Sequence, residues 1–152
     1  QYDNLLILRT CSKAFGGAAL RLGFAVGALP LTNALKAVKS PYNLNSFTQA
    51  AGAALLRRKE ESKAALAEIL LSKKELLDGV KALAERFPGE MEVFESDTNF
   101  VFIRTGKYAE IFRYMLEKGI AIRKFAGYLR ITAGTREENR AVLDALQEFF
   151  TR

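Results

Sequence analysis

Residues 7–23 read ILRTCSKAFGGAALRLG, and the order of residue types in this run decides how the rest of the chain is read. A short apolar stretch closes on hydroxyl residues, and Lys13, a turn rich in glycine and alanine, and Arg21 follow in that order. Residues 4–10 read as a buried strand and residues 22–29 as a second, with a turn over 12–19 between them. A lysine at the end of a buried strand is a candidate for bonding covalently to a carbonyl. Arg21 offers a planar fork of donors suited to a phosphate, and Ser12 offers a neutral donor beside it. Gly16 and Gly17, with Ala18 and Ala19, let backbone N–H groups come close to an anion.

An amine, a cation and neutral donors within one turn are what a phosphate-bearing aldehyde cofactor needs, which points to imine chemistry with pyridoxal phosphate. The Ser-Lys pair alone would not carry this. Ser62-Lys63 and Ser72-Lys73 repeat it on stretches that read as solvated helix faces.

Composition bounds the alternatives. The chain has 152 residues, 49% of them hydrophobic and 26% charged, as expected of one soluble globular domain rather than a disordered chain. No apolar run approaches the roughly 18 residues that span a bilayer, and no signal-peptide pattern opens the sequence, so a cytoplasmic location with no membrane partner is expected. The single cysteine, Cys11, cannot form an internal disulfide and reads as a small buried residue. The net charge of +6 suggests nucleic acid, but over residues 57–81 the lysines and arginines alternate with Glu and Ala, which argues against a basic binding module. With no histidine and no zinc-ligand spacing, histidine triads and His-ligated metal sites are excluded, and no metal is expected.

Further along, a helix is expected over 30–39, with Pro30 in its first turn. A break at 40–45 (SPYNLN) follows, where Asn45 or Ser46 can cap. Residues 46–86 read as one long helix or two, stopped by Phe87, Pro88 and Gly89. After that an α+β pattern appears, with strands at 91–94, 99–104, 120–124 and 128–132 and helices over 107–118 and 136–150. The last helix carries a capping box from Thr135 to Glu138. Asn43, Asn45 and Asn99 read as caps and turn formers, and Phe15, Phe24 and Tyr42 as packing residues. Three regions are expected: the edge of a larger sheet over 1–45, a connecting helix or helices over 46–86, and a small domain over 87–152.

The run Ser12-Lys13-Ala14-Phe15-Gly16 with Ala19-Leu20-Arg21-Leu22-Gly23-Phe24 resembles the cofactor-lysine signature of the fold type I, pyridoxal-phosphate-dependent aminotransferases of class I and II. The likeness is closest to the histidinol-phosphate branch of that family. It continues through Pro41-Tyr42-Asn43-Leu44-Asn45, Ser96-Asp97-Thr98-Asn99-Phe100, and Tyr128-Leu129-Arg130-Ile131-Thr132-Ala133-Gly134-Thr135 with Glu137-Glu138-Asn139. Gly17-Ala18-Ala19 stands where the family more often has Leu-Ala-Gly, and Cys11 where leucine is commoner.

The resemblance implies an α/β fold corresponding to the C-terminal part of a fold type I transferase. Lys13 would hold pyridoxal phosphate and move protons during transamination, and Ser12 and Arg21 would bind its phosphate. Arg130 would hold the anionic end of a small-molecule substrate, with Arg123 sharing a substrate phosphate. The implied reaction is amino transfer from histidinol phosphate to 2-oxoglutarate in histidine biosynthesis, in a homodimer. Threonine-phosphate decarboxylation is the alternative within the same cofactor class. The family's ring-nitrogen carboxylate, stacking aromatic and a further phosphate-binding turn precede the lysine, so this chain is expected to be an incomplete fragment, inactive alone and binding the cofactor weakly or not at all.

Overall fold

The strands expected on either side of Lys13 form as β1 (Leu6–Thr10) and β2 (Gly23–Gly27), an antiparallel pair with Leu6 opposite Gly27 and Thr10 opposite Gly23. The computed structural model describes residues 2–152. Two compact units are present, one running through Leu66 and one from Ala67 to Arg152.

In the first unit, α1 (Leu29–Val38) begins with proline near its start, where the missing N–H leaves no intrahelical bond unmade. The next helix, α2 (Ser46–Arg57), is capped by Asn45, whose side chain accepts from the Thr48 N–H at 2.8 Å. The helical stretch that follows is two helices, not one. Arg58 separates α2 from α3 (Lys59–Arg86), and Glu60 and Glu61 in the first turn of α3 suit the positive end of its dipole.

The expected burial of the first strands is not observed. Ile7, Leu8 and Val26 are 46%, 72% and 58% exposed, because a two-stranded ladder has two faces and the first unit covers neither. Phe15, Phe24 and Tyr42, read as packing residues, are also exposed, Tyr42 almost completely. What is buried in this unit gathers behind the Lys13 turn: Cys11, Gly17, Leu22, Thr48 and Gly52. A Cβ on Gly52 would strike the Leu22 side chain, so the absence of one lets α2 approach the loop closely.

The second unit contains β3 (Glu92–Phe94), β4 (Phe100–Arg104), α4 (Tyr108–Glu117), β5 (Arg123–Phe125), β6 (Tyr128–Thr132) and α5 (Arg136–Thr151). Its sheet is antiparallel throughout, in the order β3-β4-β6-β5. Burial alternates along β4 and β6, with Val101, Ile103, Leu129 and Ile131 turned to the core. Leu76 and Val80 of α3, Ile111 and Met115 of α4, and Leu146 of α5 complete that core, each 0% exposed. Each such side chain contributes roughly 1.5–3 kcal/mol by leaving water.

The strand expected at 120–124 begins only at Arg123. Gly119, at φ 76, ends α4, and the Ile120 N–H turns back to the Met115 carbonyl at 2.8 Å while Gly119 N–H bonds Leu116 O at 2.9 Å. This is a Schellman closure, and it takes the donor that Ile120 would have given to the sheet.

Candidate functional site

Two sets of chemistry-bearing residues stand out, one in each unit. In the first, β1 ends at Thr10 and the chain turns through Lys13 before re-entering the ladder at Gly23. The turn is held by backbone bonds from Cys11 N–H to Leu22 O at 3.0 Å, Gly16 N–H to Lys13 O at 2.9 Å and Gly17 N–H to Cys11 O at 2.8 Å. Gly16 sits at φ 63, a conformation that favours glycine. A Cβ on Gly17 would lie 3.0 Å from the Cys11 carbonyl and 3.3 Å from a Leu55 methyl, so close approach of two backbones explains that glycine.

Lys13 and Arg21 are both exposed, and Ser12 is half-buried. The Arg21 guanidinium folds back to the Ala18 carbonyl at 3.1 Å, while its own backbone lies in the left-handed region at φ 50. Thr10, which the sequence reading did not single out by number, belongs to this set. Its hydroxyl donates to Ser12 Oγ at 2.9 Å and accepts from the Ser12 N–H at 3.1 Å. A hydroxyl two residues from Ser12, at the last position of the strand, is the signal that would have found it. An amine, two linked hydroxyls and a guanidinium on one turn are the kinds of group that would hold a phosphate-bearing aldehyde, and the turn's backbone could not pack as it does with a side chain at Gly17.

In the second unit, Arg123 on β5 and Arg130 on β6 are direct cross-strand partners. Like charges placed opposite each other are unfavourable. By contrast Arg104, two positions along β4 from the residue opposite Arg130, is neutralised by Glu92 across the strand pair. Neither Arg123 nor Arg130 has a carboxylate partner among the described residues. The Arg130 Nε is buried without a hydrogen-bond partner, and its guanidinium lies 5.1 Å from the centre of the Phe100 ring.

Arg130 lies on the sheet face opposite the core, where Phe102 and Tyr128 stack with ring centres 5.1 Å apart and Phe94 leans on both. The resemblance named the two arginines; it did not name this aromatic floor. Alternation of Phe100, Phe102, Tyr128 and Arg130 with the core residues of the same strands is the pattern that points to it. Among the described residues there is no cluster of three or more His, Cys, Asp or Glu able to hold a metal ion, and no helix long and apolar enough to cross a membrane.

The sequence is 37% identical over 153 residues to a histidinol-phosphate aminotransferase of Clostridium kluyveri, covering 97% of this chain and 42% of that protein. The chain thus spans about two-fifths of the length of the curated relatives it matches. Its fold is similar to that of the histidinol-phosphate aminotransferase of Sinorhizobium meliloti, solved in complex with pyridoxal-5'-phosphate, with a TM-score of 0.74 and 24% identity over 98% of this chain and 42% of that one. The L-threonine-O-3-phosphate decarboxylase of Porphyromonas gingivalis is similar in fold too, with a TM-score of 0.81 and 24% identity over 99% of this chain and 48% of that one. The sequence model for aminotransferases of class I and II matches residues 1–146, and the chain belongs to that family.

Proposed function

We propose that the whole protein carrying this sequence transfers an amino group from histidinol phosphate to 2-oxoglutarate in histidine biosynthesis, working as a homodimer. The cross-strand pair of Arg123 and Arg130 supports this reading most directly, because two arginines at paired positions on one sheet face, neither neutralised by a carboxylate, suit a doubly charged phosphate. The curated relative at 37% identity supports the same reaction.

Pyridoxal phosphate is the cofactor used in this family. When bound it withdraws electrons from the substrate's α-carbon and so lowers the barrier to moving the proton there. In this reading Lys13 holds the cofactor through its Nζ and, once released, accepts and returns the α-proton as its amine. Ser12, Arg21 and Thr10 bind the cofactor phosphate through two hydroxyls and a guanidinium. Arg130 and Arg123 bind the anionic end of the substrate, with the Phe100 ring behind Arg130 limiting how far its head can swing.

The test is an assay of the full-length protein with histidinol phosphate and 2-oxoglutarate, following glutamate formation. In parallel, carbon dioxide release from threonine phosphate is followed. Glutamate formation without carbon dioxide supports the reading. Carbon dioxide release without glutamate would replace it with a decarboxylase.

A further inference from the structure

The turn after β6 is tied more thoroughly than a surface connection requires. Ala133 N–H donates to Asn99 O at 3.0 Å, Gly134 N–H to Asn139 Oδ1 at 2.9 Å, and Thr135 N–H to Glu138 Oε2 at 2.7 Å. Three consecutive backbone donors are therefore all taken. The Gly134 carbonyl accepts from Ser72 Oγ at 2.5 Å. The Asn139 amide nitrogen in turn donates to Ser72 Oγ at 2.7 Å and to the Ser72 carbonyl at 3.0 Å.

Ser72 and Asn139 are each 4% exposed. Both sit where an apolar residue would serve packing better: Ser72 among the buried positions of α3, Asn139 among those of α5. Asparagine is a poor helix former, and the N-terminus of α5 already has its cap in Thr135 and Glu138. Capping thus does not explain Asn139. Its carboxamide spends both ends on one connection, between α3 and the turn behind β6. Satisfied bonds of this kind, shielded from water, hold their partners in a single arrangement.

That arrangement reaches Arg130 by a short route. Gly134 is held by Ser72 and Asn139, and its neighbour Ala133 is bonded to Asn99. Asn99 precedes Phe100, which pairs with Thr132 in the sheet and carries the Arg130 guanidinium against its ring. We propose that Asn139, acting with Ser72, is a positioning residue for Arg130, fixing the end of β6 so that the guanidinium is held ready for an anionic substrate group. This rests on the reading of Arg130 as the anion-binding residue.

The experiment uses the full-length enzyme with Asn139→Ala, Ser72→Ala, Ser72→Thr and Arg130→Ala, measuring KM for histidinol phosphate, kcat, the absorbance of the bound cofactor and the melting temperature. Asn139→Ala raises KM on the order of tenfold, about the loss of one or two hydrogen bonds, with kcat and the cofactor absorbance unchanged. Ser72→Ala does the same and supplies the measurement if Asn139→Ala does not fold. Ser72→Thr keeps the hydroxyl and keeps KM. In the Arg130→Ala background, Asn139→Ala adds no further rise. A fall in melting temperature with KM unchanged in both alanine variants overturns the proposal and leaves a purely structural clamp. If Arg130→Ala itself leaves KM unchanged, the site reading falls and the inference falls with it.

Discussion

At the scale of single residues, the opposition of Arg123 and Arg130 is the feature hardest to explain by folding alone. Replacing one of them removes a like-charge pair, so Arg123→Ala is expected to leave stability unchanged or raise it by up to about 1 kcal/mol. The same change should weaken binding of a phosphate-bearing substrate. Urea melts together with KM for histidinol phosphate check both halves, and a loss of stability with KM intact would contradict them. Lys13→Ala is expected to abolish the visible absorbance of the cofactor imine in the full-length protein, while Arg21→Ala should retain the band but require more cofactor to saturate it. The types and order of these residues were legible in the sequence. Their neighbours were not: that Phe100 lies under Arg130, and that the Thr10 hydroxyl engages Ser12, follow from which side chains share a face or a turn.

At the scale of elements, the helix ends followed their local chemistry. The capping box written as Thr135 and Glu138 forms, with both reciprocal bonds present, and Thr135→Ala should lower stability by about 1 kcal/mol in a denaturant melt. Gly119→Ala, forced into the left-handed region that ends α4, should cost roughly 1–2 kcal/mol. The strand expected from residue 120 was misread because an apolar isoleucine and β-propensity cannot reveal that a backbone donor has already been used by a helix cap. The far ends of α4 and α5 are joined by Glu148. Hydrogen bonds from Lys118 first, then Arg152 and Tyr114, hold its carboxyl down to about 2, below the ordinary 4.5. A lowered folded-state value stabilises the fold above the unfolded-state value and loses that contribution as pH falls from there to about 2. Melting temperatures across that acid range should therefore fall less for Glu148→Gln than for the parent sequence.

At the scale of the whole molecule, charge and burial are unequally shared. Of the 23 lysines and arginines, nine lie before Ala67, against three acidic residues, so the first unit accounts for the whole net charge of +6. The apolar core cluster, by contrast, belongs wholly to the second unit. Hydrogen exchange on this chain should show the amides of Val101, Ile103, Leu129 and Ile131 protected longest, and those of β1 and β2 exchanging early. Equal protection in the two units would contradict that division. Most of the elements and their order, candidate caps, and the lysine, serine and arginines proposed to carry the chemistry were legible in the sequence, because these depend on residue type and short spacing. Three-dimensional packing was needed to reveal that β1 and β2 are exposed in this chain, that Arg123 pairs with Arg130 across a ladder, and that Ser72 meets Asn139. Strand register and the meeting of residues distant in sequence depend on packing and cross-strand bonding, which local propensity does not encode. The lysine turn could therefore be recognised at once, while the bonds joining Ser72, Gly134 and Asn139 could not.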